Sequence, residues 1–430
     1  MTPNSRGAGA AEPARELGVW SLLALGINGI VGVGIFFTPN LVAAIVPGRA
    51  GVLAYALTLL ALLPVAVTYA RLGSRFDRDG GPYIWARAAF GEQTAFLVGF
   101  VAYASAVLST SAVIAGLGEY TAPLLGFGAE KKWFAVCCAL VFGAVALSGL
   151  KPSAWVWSAL TVLKLVPLLL LVSVFVLGRH AAPAAENAPL SAVSWSRAVL
   201  LIVFPMQGFE IVPVPGSHVR SASRAIPIAT VGSLVLCAAL YALLHWACVD
   251  AVSGLATQST PLSAAARSLG GIPLERLVSA GTNISAIGIA FGMTVMTPRY
   301  LAALEAGGAE NALLALETRH HVPRRALFAT LVLVVVLVSV GALSRLFVLS
   351  SVAVLFQYSV SVLALCVLAL QRRHGLSPRD ALSAPFALVA LGIVAQAVER
   401  AELFVMSGIV LVALLLWFVR ARLLRARLFR

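Results

Sequence analysis

Two charged side chains and two glycine clusters interrupt apolar stretches of this chain, where such residues are costly. Glu210 is the only carboxylate in the middle of a long apolar run, and Lys164 lies deep inside another. A charge at that depth costs several kcal/mol on insertion scales, so such residues are retained for a function or a specific partner. Glu210 can take and release a proton, or it can serve as a structural carboxyl bonded to nearby backbone N–H groups. A desolvated Lys164 ammonium can also cycle a proton, or it can pack or snorkel. The glycine clusters are Gly26–Pro39, with Gly29, Gly32 and Gly34 around Val33, and Phe204–Gly216, with Gly208. Glycine and proline there open the helix and leave backbone groups unpaired. That is tolerated only where the backbone is buried in protein or lines a cavity. Unwound N–H groups at a helix N-terminus attract an anion. Gly32, Val33 and Gly34 can therefore receive a carboxylate, and the carbonyls around Phe204–Gly208 can accept an ammonium. The alternative use of such glycines is close helix packing.

Other polar residues in the apolar runs are weaker pointers. Gln207 lies beside the second break, and its amide needs partners, from a substrate or from another helix. Ser351, Ser109, Thr110 and Ser111 can line a cavity or bond their own helix four residues back. His245 reads as a satisfied core histidine and His218 as a solvated loop residue. Cys137, Cys138, Cys237, Cys248 and Cys366 fall in apolar runs and read as small core residues, with no metal site or disulfide framework implied.

The elements that must hold these residues follow from hydropathy. The 430 residues are 60% hydrophobic and 11% charged, with a mean hydropathy of +0.96, which defines an all-α polytopic membrane protein. A spanning helix needs about 20 apolar residues, and about twelve segments meet that need. They lie near 17–45, 51–73, 94–122, 132–150, 154–178, 197–217, 226–250, 276–304, 324–342, 346–370, 381–398 and 402–420. The runs are too long and continuous for a transmembrane barrel. Gly32 and Gly208 fall in the first and sixth segments, and the spacing of segments 2, 3 and 5 recurs in 7, 8 and 10. This predicts a five-plus-five inverted repeat over 17–178 and 197–370, with broken first and sixth helices and two further helices at 381–420. Residues 1–16 form a polar tail and 421–430 a basic one. Paired breaks of this kind mark the small-molecule site of secondary transporters.

The net charge of +14 follows topology. Of 31 basic residues, 21 fall in segments on the side of the N-terminus and nine on the other, which predicts both termini in the cytoplasm of a multi-pass plasma-membrane protein. The tail Arg420–Arg430 suits anionic lipid headgroups, not nucleic acid. No cleavable signal is evident. The segment 77–91, with Phe76 before it, is too apolar for a free loop and reads as an interfacial helix.

Gly29-x-x-Gly-Val-Gly-Ile-Phe36, Gly80-Gly-Pro-Tyr with Ala89-Phe-Gly91, and Gly208-Phe-Glu with Arg224-x-Ile-Pro227 occur in order over about residues 17–420. Together they resemble the amino acid–polyamine–organocation transporters. The resemblance implies alternating-access transport of amino acids or related amines, often proton-coupled or by exchange. It implies that Phe204 is an aromatic gate over the substrate, where the residue alone reads equally as lipid-facing or core, and that Glu210 is the acid on the inner half of the sixth helix. It also implies that the Lys164 ammonium stands where sodium-coupled relatives hold a sodium ion, so transport is expected to be sodium-independent. Departures from the family pattern are Val33 between the glycines, Ser217-His218 in place of an acidic pair, and Ala306-Gly307-Gly308 in place of Arg-Asp-Gly, although Arg299 is present. The expected substrate site is Gly29, Gly32, Val33, Gly34, Phe204, Gln207, Gly208 and Ser351, with Glu210 and Lys164 for coupling. With no second intramembrane acid, the reading leans toward a neutral amino acid, apolar ones included. A polyamine or amine transporter and a non-transporting amino-acid sensor share the architecture. No cofactor or metal is expected, and no hydrolase motif or ATPase motif suggests an enzyme. The partners expected are a small-molecule substrate and the bilayer, and the sequence does not set the oligomeric state.

Overall fold

The computed structural model describes residues 17–76, 81–127, 129–148, 154–178, 191–214, 219–306 and 323–428. Ser217, His218, Gly307 and Gly308 lie outside the described residues, as does the side chain of Ala306. The described chain is helical, and its one β-bridge joins Leu17 to Val219. The helices are α1 (Val19–Ile30), α2 (Gly34–Ala43), α3 (Ala50–Gly73), α4 (Pro82–Phe90), α5 (Glu92–Leu124), α6 (Lys131–Leu147), α7 (Ala154–Leu177), α8 (Ala192–Met206), α9 (Ala222–Ala251), α10 (Pro261–Ala306), α11 (Arg324–Val340), α12 (Leu343–Leu370), α13 (Ala384–Ala395) and α14 (Arg400–Leu428).

Among the described residues, seven helices are long and apolar enough to cross a membrane, or eight if the bent pair α1 and α2 counts as one span. Of the other apolar segments, α7 has 24 residues and the rest give shorter helices. For instance, α6 and α11 have 17 residues each, close to the lower limit for a span. Apolar residues cover these helices on all sides, and the outward ones, such as Leu60, Phe328, Phe386 and Phe404, are exposed. That pattern fits a lipid environment, where hydrophobicity does not distinguish inside from outside.

Two layers of contact position the site. The α3–α9 pair forms the most extensive helix interface, with α1 also packed on α9. The α5 helix packs on both α10 and α12. Short ion pairs fasten the helix ends. Arg49 grips Asp250 with two nitrogens, each 2.9 Å from a carboxylate oxygen. Arg71 meets Asp380, and Arg197 reaches Glu402 at 2.8 Å.

Two elements refine the expectation from sequence. The expected interfacial helix is α4, started by Gly81 at φ 49° with Pro82 in its first turn and stopped by Gly91 at φ 89°. Its Trp85 is buried and packs edge-on against Tyr69 of α3. The α10 helix begins at Pro261, well before the expected start near 276, and is broken at Gly271 (φ 68°, ψ −164°) ahead of Pro273.

Candidate functional site at the paired helix breaks

The first apolar segment breaks where its glycines predict. The α1 helix ends at Ile30, α2 starts at Gly34, and the two axes are bent by 50°. A helix C-terminus carries unpaired carbonyls and the negative end of the dipole. Here those carbonyls are met from two neighbouring helices. Lys164 Nζ of α7 donates to Asn28 O at 2.9 Å and Val31 O at 2.6 Å, and Tyr241 Oη of α9 donates to Ile30 O at 2.8 Å. Lys164 is 2% exposed, so its amine is met by backbone carbonyls and not by water. The facing end of the break is the N-terminus of α2, which no side chain caps.

The second break follows α8. Gln207 is extended (φ −64°, ψ 150°), Gly208 has φ 126°, and a single 3₁₀ turn, Phe209–Ile211, follows. The two breaks touch through backbone. A Cβ on Gly208 would lie 2.3 Å from the carbonyl carbon of Gly29 and 2.5 Å from Ile30 N. Both its conformation and its surroundings therefore demand glycine. Gly29 in turn faces Ile211, and Gly34 faces Pro205 and Phe204. Gly32 is freer, since a Cβ there would first meet the Ile289 Cδ1 at 3.3 Å. Val33 is buried, and its Cγ2 lies beside Gly116 of α5.

Around this core the polar groups divide between two walls. On the wall formed by α5 and α12, Gln207 Oε1 accepts from Ser350 Oγ at 3.3 Å, and Ser350 Oγ lies 2.6 Å from Ser109 Oγ. The buried Nε2 of Gln207 has no partner among the described residues. Phe204 stacks on Phe347, with centroids 4.0 Å apart and planes 14° apart. Below the break, one carboxylate oxygen of Glu210 accepts from Gly208 N at 2.7 Å and Tyr358 Oη at 3.2 Å. Tyr358, Tyr69 and Phe209 pack as a mutual aromatic trio, and the Tyr69 Oη accepts from Gln357 Nε2 and Ser361 Oγ.

Nine of the ten residues singled out in the sequence lie at or beside the two breaks. Ser351 does not share the polar wall. Its hydroxyl bonds Phe347 O of its own helix at 3.0 Å, and the adjacent Ser350 faces Gln207. Consecutive residues on a helix point about 100° apart, so the Ser350-Ser351 pair offers two choices, and the choice rests on helix rotation, not on residue type. Tyr358 and Tyr241 were also missed, because a tyrosine in an apolar helix is unremarkable until its hydroxyl meets a partner. Thr110 and Ser111 bond their own helix at Ala106 O and Val107 O as expected. His245 is not the satisfied histidine its setting suggested. Both ring nitrogens lack partners among the described residues, because Gly51 and the Tyr55 ring of α3 surround it.

Comparison with known proteins identifies the family. The amino acid permease family profile matches residues 17–421. An uncharacterized transporter of Mycobacterium tuberculosis is 28% identical over 358 residues, 81% of this chain and 79% of the relative. The serine/threonine exchanger SteT of Bacillus subtilis is 28% identical over 299 residues, 66% of this chain and 67% of the relative. The branched-chain amino acid permease BcaP of the same organism is 27% identical over 253 residues, 54% of each chain. With a profile match that runs from the first helix into the last, this chain belongs to the amino acid permease family.

Proposed function

We propose that this protein is a secondary transporter that carries a neutral amino acid across the plasma membrane by alternating access. The observation that carries the reading is the meeting of two helix breaks at Gly29 and Gly208, with the uncapped N-terminus of α2 beside them. The substrate carboxylate binds the N–H groups of Gly32, Val33 and Gly34, which are favoured by the α2 dipole. The substrate ammonium meets the carbonyls around Phe204–Gly208, and the Phe204–Phe347 stack closes over it. Val33 is compatible with this role because the main chain makes the contact and its side chain points to α5. The twelve apolar segments each cross the membrane, as two inverted five-helix units and two further helices, with both termini in the cytoplasm.

Lys164 takes the place of a coupling cation. Its ammonium already occupies the carbonyls at the end of α1 that a sodium ion would need. Glu210 binds and releases the coupled proton. Relatives named for serine and threonine or branched-chain amino acids support a neutral substrate, as does the lack of a second carboxylate at the break among the described residues. The test is counterflow in proteoliposomes loaded with single amino acids. A neutral amino acid should exchange at the same rate in sodium and in potassium buffers. Exchange that requires sodium would overturn the role of Lys164, and specific binding without any exchange would make the protein a sensor.

A further inference from the structure

We propose that the Gln207 amide, oriented by Ser350 and Ser109, selects amino acids whose side chain carries a small hydrogen-bond acceptor such as a hydroxyl. This rests on the reading of the breaks as an amino acid site and narrows the substrate class. Residues 207 and 208 diverge at the break. Gly208 backs onto Gly29 of α1, whereas the Gln207 side chain reaches the opposite wall. In this reading the substrate main chain takes the α1–α2 break and the carbonyls before Gly208, and its side chain is assigned to the Gln207 wall.

The placement of the amide sets which end is free: its oxygen faces Ser350 and its nitrogen does not. Ser350 has one proton. When that proton goes to Gln207 Oε1, the Ser350 oxygen accepts from Ser109, and the bonds run in one direction from α5 through α12 to the break. The amide oxygen is then satisfied, and Nε2 is left buried and unpartnered among the described residues. An amide NH₂ only donates, so the group that completes it is an acceptor. Phe204 and Phe347, three residues before Gln207 and Ser350 in sequence, stack into a flat apolar wall beside it. A small side chain with one oxygen satisfies both surfaces. A methyl group in its place leaves the N–H₂ unpaired, and a basic side chain offers only further donors.

Threonine and valine separate these cases, because they match in shape and differ by a hydroxyl. Labelled threonine and valine are compared by counterflow with the purified full-length protein and its Gln207→Met and Ser350→Ala variants, each checked for folding by size exclusion and thermal melting. The unmodified protein should prefer threonine by about tenfold or more, the range expected when a buried donor would otherwise go unpaired. Gln207→Met should bring the threonine-to-valine ratio to within about threefold, and Ser350→Ala should give an intermediate ratio. Equal exchange of threonine and valine by the unmodified protein, or an unaltered ratio in Gln207→Met, overturns the selectivity role and leaves amino acid transport standing. So does an equal loss of both substrates in a folded Gln207→Met protein, which would place the amide on the substrate main chain. If Gln207→Met does not fold, the Ser350→Ala ratio decides in the same way. A protein that exchanges no amino acid overturns the transport reading and this one together.

Discussion

Gly208 and Gly32 belong to the same sequence pattern and have different burdens. Gly208 combines φ 126° with a neighbouring backbone 2.3 Å from where a Cβ would sit, and the obstacle is a carbonyl carbon that cannot rotate away. Gly208→Ala should destabilise the fold by about 3 kcal/mol or more, since it adds backbone strain to a clash with main chain. Gly32→Ala meets only the tip of Ile289. It should fold with a near-normal melting temperature and weaken substrate binding about tenfold, the effect of one extra methyl group where the carboxylate approaches. Thermal melting in detergent, with and without the amino acid, separates the two outcomes. A Gly32→Ala protein that binds normally would move the carboxylate elsewhere. Residue type alone exposed the glycines, Glu210 and Lys164, because each is costly in an apolar run. It could not show that Val33 turns toward Gly116, that Ser350 and not Ser351 faces the break, or that His245 is left without partners. Those facts depend on helix rotation and on which neighbour is opposite.

At the scale of elements, hydropathy located the apolar segments, and the glycines located the breaks between α1 and α2 and after α8. The early start of α10 was less legible. Gly270-Gly271 and Pro273 mark a turn in sequence, and only packing against neighbouring helices keeps helix on both sides of it. Pairings between distant helix ends were not legible at all, since a lone arginine names no partner. Arg197 illustrates what they do. From α8 it donates to both carboxylate oxygens of Glu402 and to Ala397 O, tying the half of the broken helix before Gln207 to the turn between α13 and α14. Its side chain is 24% exposed and that of Glu402 is 11% exposed, so the pair is partly shielded from water. Arg197→Met should cost about 1–3 kcal/mol, less than for a fully buried pair, because water can reach the freed carboxylate. Thermal denaturation measures this loss, and Arg197→Met with Glu402→Gln should recover part of it. If the double variant is as unstable as the single one, the cost lies in lost arginine packing and not in an unpaired charge.

For the whole molecule, the proposed coupling requires that a proton be connected to the position of a helix break. Glu210 is suited to this because a single carboxylate oxygen accepts from Gly208 N–H at the break and from Tyr358 Oη on α12. Tyr358 in turn packs against Tyr69 of α3 and Phe209, and Tyr69 packs against Trp85 of α4. Protonation of Glu210 weakens its hold on both donors at once, so the charge on one group biases contacts among the break, α3, α4 and α12. A glutamine at this position keeps a carbonyl oxygen that can accept the same two bonds, but it cannot change charge. Glu210→Gln should therefore fold, and exchange driven by substrate alone should fall no more than severalfold. Accumulation against a concentration gradient, driven by an imposed pH difference across the proteoliposome, should fall at least about tenfold, because the variant has no proton to carry. Collapsing the pH difference with a protonophore should reduce accumulation by the unmodified protein to the level of the variant. If Glu210→Gln accumulates substrate as well as the unmodified protein does, Glu210 is a structural carboxyl holding the break, and the coupled proton travels by another group, for which Lys164 at the carbonyls of α1 is the next to replace.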